Sequence, residues 1–246
     1  MHSYISFAEY YDELMEDARY ADRCRYALEL IERHGGVLGK TLDLACGTGS
    51  LTLELKKQGV DVFGIDGSIE MLSQAMQKCL AEGFSVLFVN QDMRQLELAE
   101  PIDTCLCTLD SLNHLTDPAD VQKTFDGISR YMNPGGLFIF DVNTVYKHRE
   151  VLADNVFVTE SDRVFCVWQN SLRKNDIVDV SLDFFEESHG VYYRSGEDFS
   201  ERAYSDAQLR EMLQKAGFTV EAVYGDLSLD PPAPDEQRAV YAAKKN

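Results

Sequence analysis

Between Thr41 and Val142 five short apolar runs alternate with amphipathic stretches, and no other feature of the chain narrows its fold as much. Residues 41–45 lead into 51–57, 60–65 into 69–80, and 84–89 follow; 102–108 then lead into 119–132, and 137–142 close the series. Consecutive strands that each need a crossover pair in parallel, and a parallel sheet has to be covered by helices on both faces. The pattern predicts a doubly wound α/β fold. Ahead of it, Leu14, Ala18, Ala21, Leu28 and Ile31 recur at helical spacing within residues 7–34 until Gly35-Gly36 stops them, which predicts an N-terminal helical segment.

The texture changes between Asn143 and Ala203. Three strand-like runs appear there, 165–169, 177–185 and 191–193, separated by Lys174-Asn-Asp and Ser188-His-Gly turns. Val178, Val180, Leu182 and Phe184 alternate with Asp179, Ser181 and Asp183, the period of a half-exposed strand. Residues 143–203 are therefore expected to form an antiparallel meander inserted into a domain made of 1–142 and 204–246. Ser205 can cap a helix through Leu209, Met212 and Leu213 that Gly217 ends, and residues 218–224 and 239–243 read as two closing strands around the proline-rich Asp230-Pro-Pro-Ala-Pro-Asp.

With 23 Lys and Arg against 42 Asp and Glu, the chain carries a net charge of −19, so a phosphate backbone meets a repulsive average field and nucleic acid is disfavoured as a partner. No apolar run approaches the roughly 20 residues of a bilayer span, and Met1-His-Ser-Tyr lacks the basic-then-apolar pattern of a signal peptide. A cytoplasmic protein without membrane contact is expected. The six cysteines show no paired Cys or His spacing, so neither a metal site nor a disulfide framework is suggested.

The segment Thr41-Leu-Asp-Leu-Ala-Cys-Gly-Thr-Gly-Ser50 sets a strand, a glycine-bearing turn and a helix start in that order. Gly47 and Gly49 allow a sharp turn and close approach of a ligand, while Ser50 or the first helical N–H groups can meet its polar atoms. Asp66 and Asp92 close the next two strands, and at the carboxyl edge of an open sheet an acidic residue can accept both hydroxyls of a ribose. A nicotinamide or flavin dinucleotide site would want a third glycine where Thr52 stands, and would not want Asp43 inside the strand.

Taken together, Leu42-Asp-Leu-Ala-Cys-Gly-Thr-Gly49, Gly64-Ile-Asp-Gly-Ser68, Gln91-Asp-Met93 and Asn133-Pro-Gly-Gly136 resemble the successive motifs of the class I S-adenosylmethionine-dependent methyltransferases. The match covers residues 42–142. It departs from the acidic-x-G-x-G-x-G loop only in Ala45, followed by Cys46. The resemblance implies a Rossmann-like seven-stranded mixed sheet, parallel with one antiparallel strand, and S-adenosylmethionine as cofactor. It further implies that Asp43 supports the methionine amino group, that Gly47 and Gly49 line the cofactor, that Asp66 holds the ribose and that Asp92 and Met93 flank the adenine. Ala45, Gly67, Met71 and Leu109 complete the cofactor's surroundings.

Phe7-Ala-Glu-Tyr-Tyr-Asp-Glu-Leu-Met15 resembles the entry segment of small-molecule N-methyltransferases of this superfamily, sugar amine and glycine methylating enzymes among them, where the residue matching Tyr11 sits near the sulfonium. An aromatic face stabilises such a cation by about 1 kcal/mol. Packing is the other use of Tyr10 and Tyr11. Leu109-Asp-Ser-Leu-Asn-His-Leu115 ends the fourth strand, and Asp110, Asn113 and His114 are the candidate acceptor contacts. His114 is either a general base or a wall: a hydroxyl acceptor would need His114 or Asp110 to take its proton, whereas an amine bound neutral would not. The expected activity is methyl transfer to nitrogen or oxygen of a small molecule. Action on RNA or protein, or cofactor binding without catalysis, are the alternatives. The meander's Trp168, Phe184, Phe185, Tyr192 and Tyr193 can roof the acceptor, form that sheet's own core or serve a homodimer face.

Overall fold

The computed structural model describes Tyr11, Asp12, residues 18–161 and residues 164–246. Of the expected N-terminal helical segment, residues 7–10 and 13–17, Tyr10 and Leu14 among them, lie outside the described residues. The segment's described helix is α1, Tyr20–Arg33. It is followed by β1 (Lys40–Leu44), α2 (Ser50–Lys57), β2 (Asp61–Asp66), α3 (Ile69–Ala81), β3 (Phe88–Asn90), β4 (Ile102–Cys107), α4 (Pro118–Tyr131) and β5 (Met132–Asn143). After β6 (Val156–Glu160), β7 (Val164–Arg173), β8 (Ile177–Ser188) and β9 (Val191–Arg202), the chain ends with α5 (Asp206–Lys215), β10 (Phe218–Gly225) and β11 (Arg238–Lys245).

Seven strands form one sheet in the order β10-β11-β5-β4-β1-β2-β3, and β11 alone runs antiparallel to its neighbours. β1 sits between β2 and β4, with Thr41 opposite Val62 on one side and Thr104 on the other. From β1 the chain winds first to one edge and then to the other. A crevice therefore opens at the carboxyl ends of β1 and β4, where a doubly wound sheet receives its ligand. The sheet is buried on both faces because side chains alternate: Phe138 and Phe140 of β5 point to the α4 and α5 side, where Phe125 and Phe218 meet them. Leu137 and Ile139 point to the other side, against Leu30, Ile31 and Leu55 of α1 and α2.

β3 is shorter than the apolar run 84–89 suggests. It pairs with β2 alone, and only from Phe88 to Asn90; Gly83 turns the chain at φ 80°, and Leu87 is left exposed. The Asn133-Pro-Gly-Gly136 segment lies within the bounds of β5, where a register shift of the pairing with β4 absorbs it.

The second sheet is four-stranded, in the order β6-β7-β8-β9, not the three runs visible in the sequence. β6 escapes a hydropathy reading because it is an edge strand with Val156 and Val158 both exposed. β9 runs to Arg202, far beyond its apolar start, carried by twelve residues of pairing with β8. His189 and Gly190 both adopt positive φ in the turn between them, as a two-residue hairpin turn requires. One face of this sheet buries Cys166, Val178, Val180, Leu182 and Phe184 with Leu152.

Gly49, at φ 70°, tests how tightly the first turn is built, since an added Cβ would lie 2.7 Å from the Ala75 Cβ and 3.2 Å from the Phe88 ring. Gly49→Ala is expected to lose about 2–3 kcal/mol in urea denaturation. Gly83→Ala, with φ 80° but open space around it, should lose only about 1 kcal/mol.

Candidate active site

Two chambers lie along the carboxyl ends of β1 to β4. The larger, about 500 Å³, is lined by Gly67, Asn90, Gln91, Asp92, Met93, Arg94, His114 and Leu115. The smaller, about 30 Å³, lies among Tyr11, Tyr20, Asp43, Ala45, Gly47 and Leu109. Asp66 is in neither lining; its two carboxylate oxygens accept the Gly47 and Ser68 N–H groups, each at 2.8 Å. Burial pushes the Asp66 carboxyl up, and those two amides draw it back. The glycine loop and the start of α3 are thus tied to one side chain.

Not every expected cofactor residue faces the chambers. Gly49 is spent on the approach of α3 and β3, and Met71 gives its N–H to the Ser68 hydroxyl that caps α3, so neither is a lining residue. Asp92 does line the larger chamber, with its carboxylate engaged by the Arg94 guanidinium. The half-buried Ser50 is engaged within the protein, its hydroxyl lying between Asp12 at 3.2 Å and Lys78 at 2.5 Å. Asp12 also accepts from Thr48 at 2.7 Å and pairs with Lys78 at 2.5 Å, so the entry segment is fastened to the glycine loop and to α3.

Asp43 is 2% exposed and bonded to the Thr52 hydroxyl, and burial raises its pKa to about 7. Tyr11 donates to Tyr20, and burial pushes the Tyr11 phenol well above its ordinary value. Tyr20 was not expected here. Its only sequence signal is a phenol at the start of an amphipathic helix.

Beyond the chambers, the wall that carries His114 is built on a turn. Leu109 and Asp110 both have positive φ, 57° and 54°, and their N–H groups reach the two oxygens of Asp141, each at 2.8 Å. Arg238 of β11 bonds Asp141 and, at 2.6 Å, Asp110. Burial alone would raise the Asp110 carboxyl, but Arg238 and Lys147 hold it far below the usual range. The Asp110 carboxylate is thus committed to an ion pair with Arg238. Asn113 is also corrected: it is fully buried, and its amide bonds the Asn143 N–H at 2.9 Å and the Arg202 carbonyl at 2.9 Å. It pins β9 to β5 and is not available to an acceptor.

His114 is the exception, 48% exposed and on the wall of the larger chamber. Its ring lies 5.1 Å from Phe199, and its Nε2 lies 3.7 Å from a carboxylate oxygen of Glu201. Register places Glu197, Phe199 and Glu201 on one face of β9, beside Leu182, Val180 and Val178 of β8. These β9 residues were missed because a strand of alternating charged residues reads as solvent-facing. This face of β9 thus brings the Phe199 ring and the Glu201 carboxylate up to His114 on the wall of the larger chamber.

A family model described as a methyltransferase domain matches residues 41–136. Over 245 residues the chain is 33% identical to the putative methyltransferase YqeM of Bacillus subtilis (strain 168), covering 99% of this chain and 97% of that protein. The chain belongs to the class I S-adenosylmethionine-dependent methyltransferases. The crystal structure of an S-adenosylmethionine-dependent methyltransferase from Clostridium acetobutylicum ATCC 824 superposes with a TM-score of 0.90 at 32% identity, covering 99% of each chain. A glycine/sarcosine N-methyltransferase from Aphanothece halophytica is 26% identical over 98% of this chain and 88% of its own length. As in other methyltransferases the cofactor is S-adenosylmethionine, and the site fits it. At Gly47 the space a Cβ would take is open, and a buried carboxylate and an aromatic ring border the smaller chamber, where a cation gains most.

The ion pair at the base of the acceptor side gives a stability prediction. Arg238→Met leaves Asp110 and Asp141 buried without their counterion, and about 3–5 kcal/mol should be lost in urea denaturation at neutral pH.

Proposed function

We propose that this methyltransferase acts on the amino nitrogen of a small, cationic acceptor. The observation that carries the reading is Glu197, whose Oε2 is buried and without a hydrogen-bond partner on the face of β9 that meets His114. A buried carboxylate oxygen without a donor costs free energy, and an ammonium group supplies the donor and the charge together. Phe199, beside it, offers a ring face to the same cation. RNA is opposed by the same carboxylates and by the net charge of −19. The likeness to a glycine/sarcosine N-methyltransferase supports an amine acceptor over a hydroxyl.

In this reading the chain's residues divide the work along the crevice. S-adenosylmethionine supplies a methyl group already activated on a sulfonium, so what the protein adds is alignment and the exclusion of water. Asp66 and Gly67 hold the ribose end, Met93 and the rim of the larger chamber hold the adenine, and Asp43 faces the methionine ammonium. Tyr11, fixed by Tyr20 and by the neighbouring Asp12 latch, closes the smaller chamber over the reacting end. The inserted sheet roofs the acceptor through β9.

Incubation with methyl-labelled S-adenosylmethionine and a fractionated metabolite extract should place the label on nitrogen of small amines and leave RNA and protein fractions unlabelled. Label on a hydroxyl compound, or on macromolecule alone, overturns the amine reading.

A second expectation follows from Asp43. Its raised pKa means that below about pH 7 the free protein holds a proton there, and a neighbouring ammonium favours the carboxylate. Cofactor affinity should rise as pH increases toward 7, by up to about tenfold per pH unit, and level off above it. Calorimetry in buffers of different ionisation enthalpy should detect the proton released on binding below pH 7. Asp43→Asn should abolish both effects.

A further inference from the structure

Behind His114 lies a chain of groups that no motif in the sequence marks. Glu201 is 5% exposed, with Oε1 3.7 Å from His114 Nε2 and Oε2 3.9 Å from His148 Nε2. His148, on the turn Lys147–Leu152, is fully buried. Its Nδ1 lies 2.9 Å from the Asp176 carbonyl oxygen, which can only accept, so Nδ1 carries the hydrogen. Burial lowers the His148 pKa, which favours the neutral ring. Its Nε2 is then a bare lone pair, and it has no hydrogen-bond partner.

A lone pair aimed at a carboxylate is satisfied by neither charge nor hydrogen bond. It is satisfied when the carboxylate carries a proton, because the acid O–H can then donate to Nε2 once the pair closes to about 2.8 Å. We infer that Glu201 is the proton store of the acceptor site: the proton of the bound ammonium passes to His114 and on to Glu201, whose acid form His148 stabilises. This rests on the amine reading above. His114 touches the acceptor; Glu201 and His148 act through it and are positioning residues.

The balance is simple. The acceptor R–NH3⁺ gives one proton to His114 on its cleft side as His114 gives one from Nε2 to the Glu201 carboxylate. This leaves R–NH2, neutral His114 and an acid at Glu201. The nitrogen lone pair then forms the N–C bond while the electrons of the breaking S–C bond stay on sulfur. The product leaves as R–NH2⁺–CH3, and the stored proton returns through His114 to solvent.

The surroundings of Glu201 agree with an exchangeable proton. Burial pushes its carboxyl up and the charge of Asp110 adds to this, while His114, Lys147 and the Asn143 amide at 3.2 Å oppose it. Arg238 is already committed to Asp110 and Asp141, and the neighbour across the strand pair is the apolar Val178.

The test is an infrared titration of the full chain labelled with 13C-glutamate, with pH as the only variable. A carboxylic-acid carbonyl band that titrates in the wild type is expected to be missing from Glu201→Gln, and in His148→Leu its midpoint should fall by about 1 pH unit, a tenfold change in proton affinity. Unchanged cofactor binding confirms that each variant is folded; Glu201→Asp, which keeps the carboxylate, replaces any that is not. With the amine found by methyl labelling, Glu201→Gln should lower kcat by about a hundredfold at constant KM and lose the acidic limb of the pH profile. Identical titration of wild type and Glu201→Gln, or a midpoint unmoved in His148→Leu, overturns the inference even if amines are methylated. If the Glu201 band titrates but no amine is methylated, the amine reading and the relay fall together, while a titrating carboxyl remains.

Discussion

Asp141 is the side chain on which the acceptor half of the site depends. It sits near the end of β5, 2% exposed, and receives two backbone N–H groups from the turn after β4 and the guanidinium of Arg238 from β11. Leu109 and Asp110 both stand in the left-handed region, which costs a non-glycine residue about 1 kcal/mol or more. Two charge-assisted bonds to one carboxylate offset that cost. The turn in turn sets Ser111–His114, and with it the only exposed titratable side chain of that turn. β4, β5 and β11 are neighbours in the sheet, so the anchor is rigid before any ligand arrives.

The same arrangement explains which parts of the site were legible in the sequence. Asp43, Gly47 and Asp66 are marked locally: Asp43 lies inside β1, Gly47 in the tight turn after it and Asp66 at the end of β2, each beside the apolar run that signals its strand. The half-hidden parts act across the chain. Asp141 reads as an interruption in the strand 137–142, and nothing near it announces that its partners lie 31, 32 and 97 residues away. Asn113 and His114 are adjacent, and composition cannot say that one faces inward and the other outward. The one-turn helix between β4 and α4 decides it, burying Asn113 completely and leaving His114 half-exposed.

The inserted sheet was legible as antiparallel strands but not in its extent or polarity. Period-two patterning identifies a buried face only where that face is apolar, as in β8, whose Val178, Val180, Leu182 and Phe184 are all buried. β9 pairs with β8 along twelve residues, yet its matching face carries Glu201, Phe199 and Glu197. A face that is apolar in one strand and carries carboxylates in its partner has no single hydropathy signature. Register, not composition, brings Glu201 to His114.

Placing carboxylates on that second sheet separates two electrostatic tasks. The crevice must hold a cationic cofactor, and for an amine acceptor it must also admit a second cation and then remove one of its protons. Two cations approaching head-on repel unless fixed negative charge lies on both sides of the contact. On the proposed amine reading, Asp43 and Asp66 would supply it beneath the cofactor from the parallel sheet, and Glu197 and Glu201 above the acceptor from β9. Asp110 cannot take the second part, because Arg238 neutralises it. In the relay proposed above, the carboxylate that exchanges a proton is therefore Glu201 on the inserted sheet, 3.7 Å from His114, while Asp110 stays paired with Arg238.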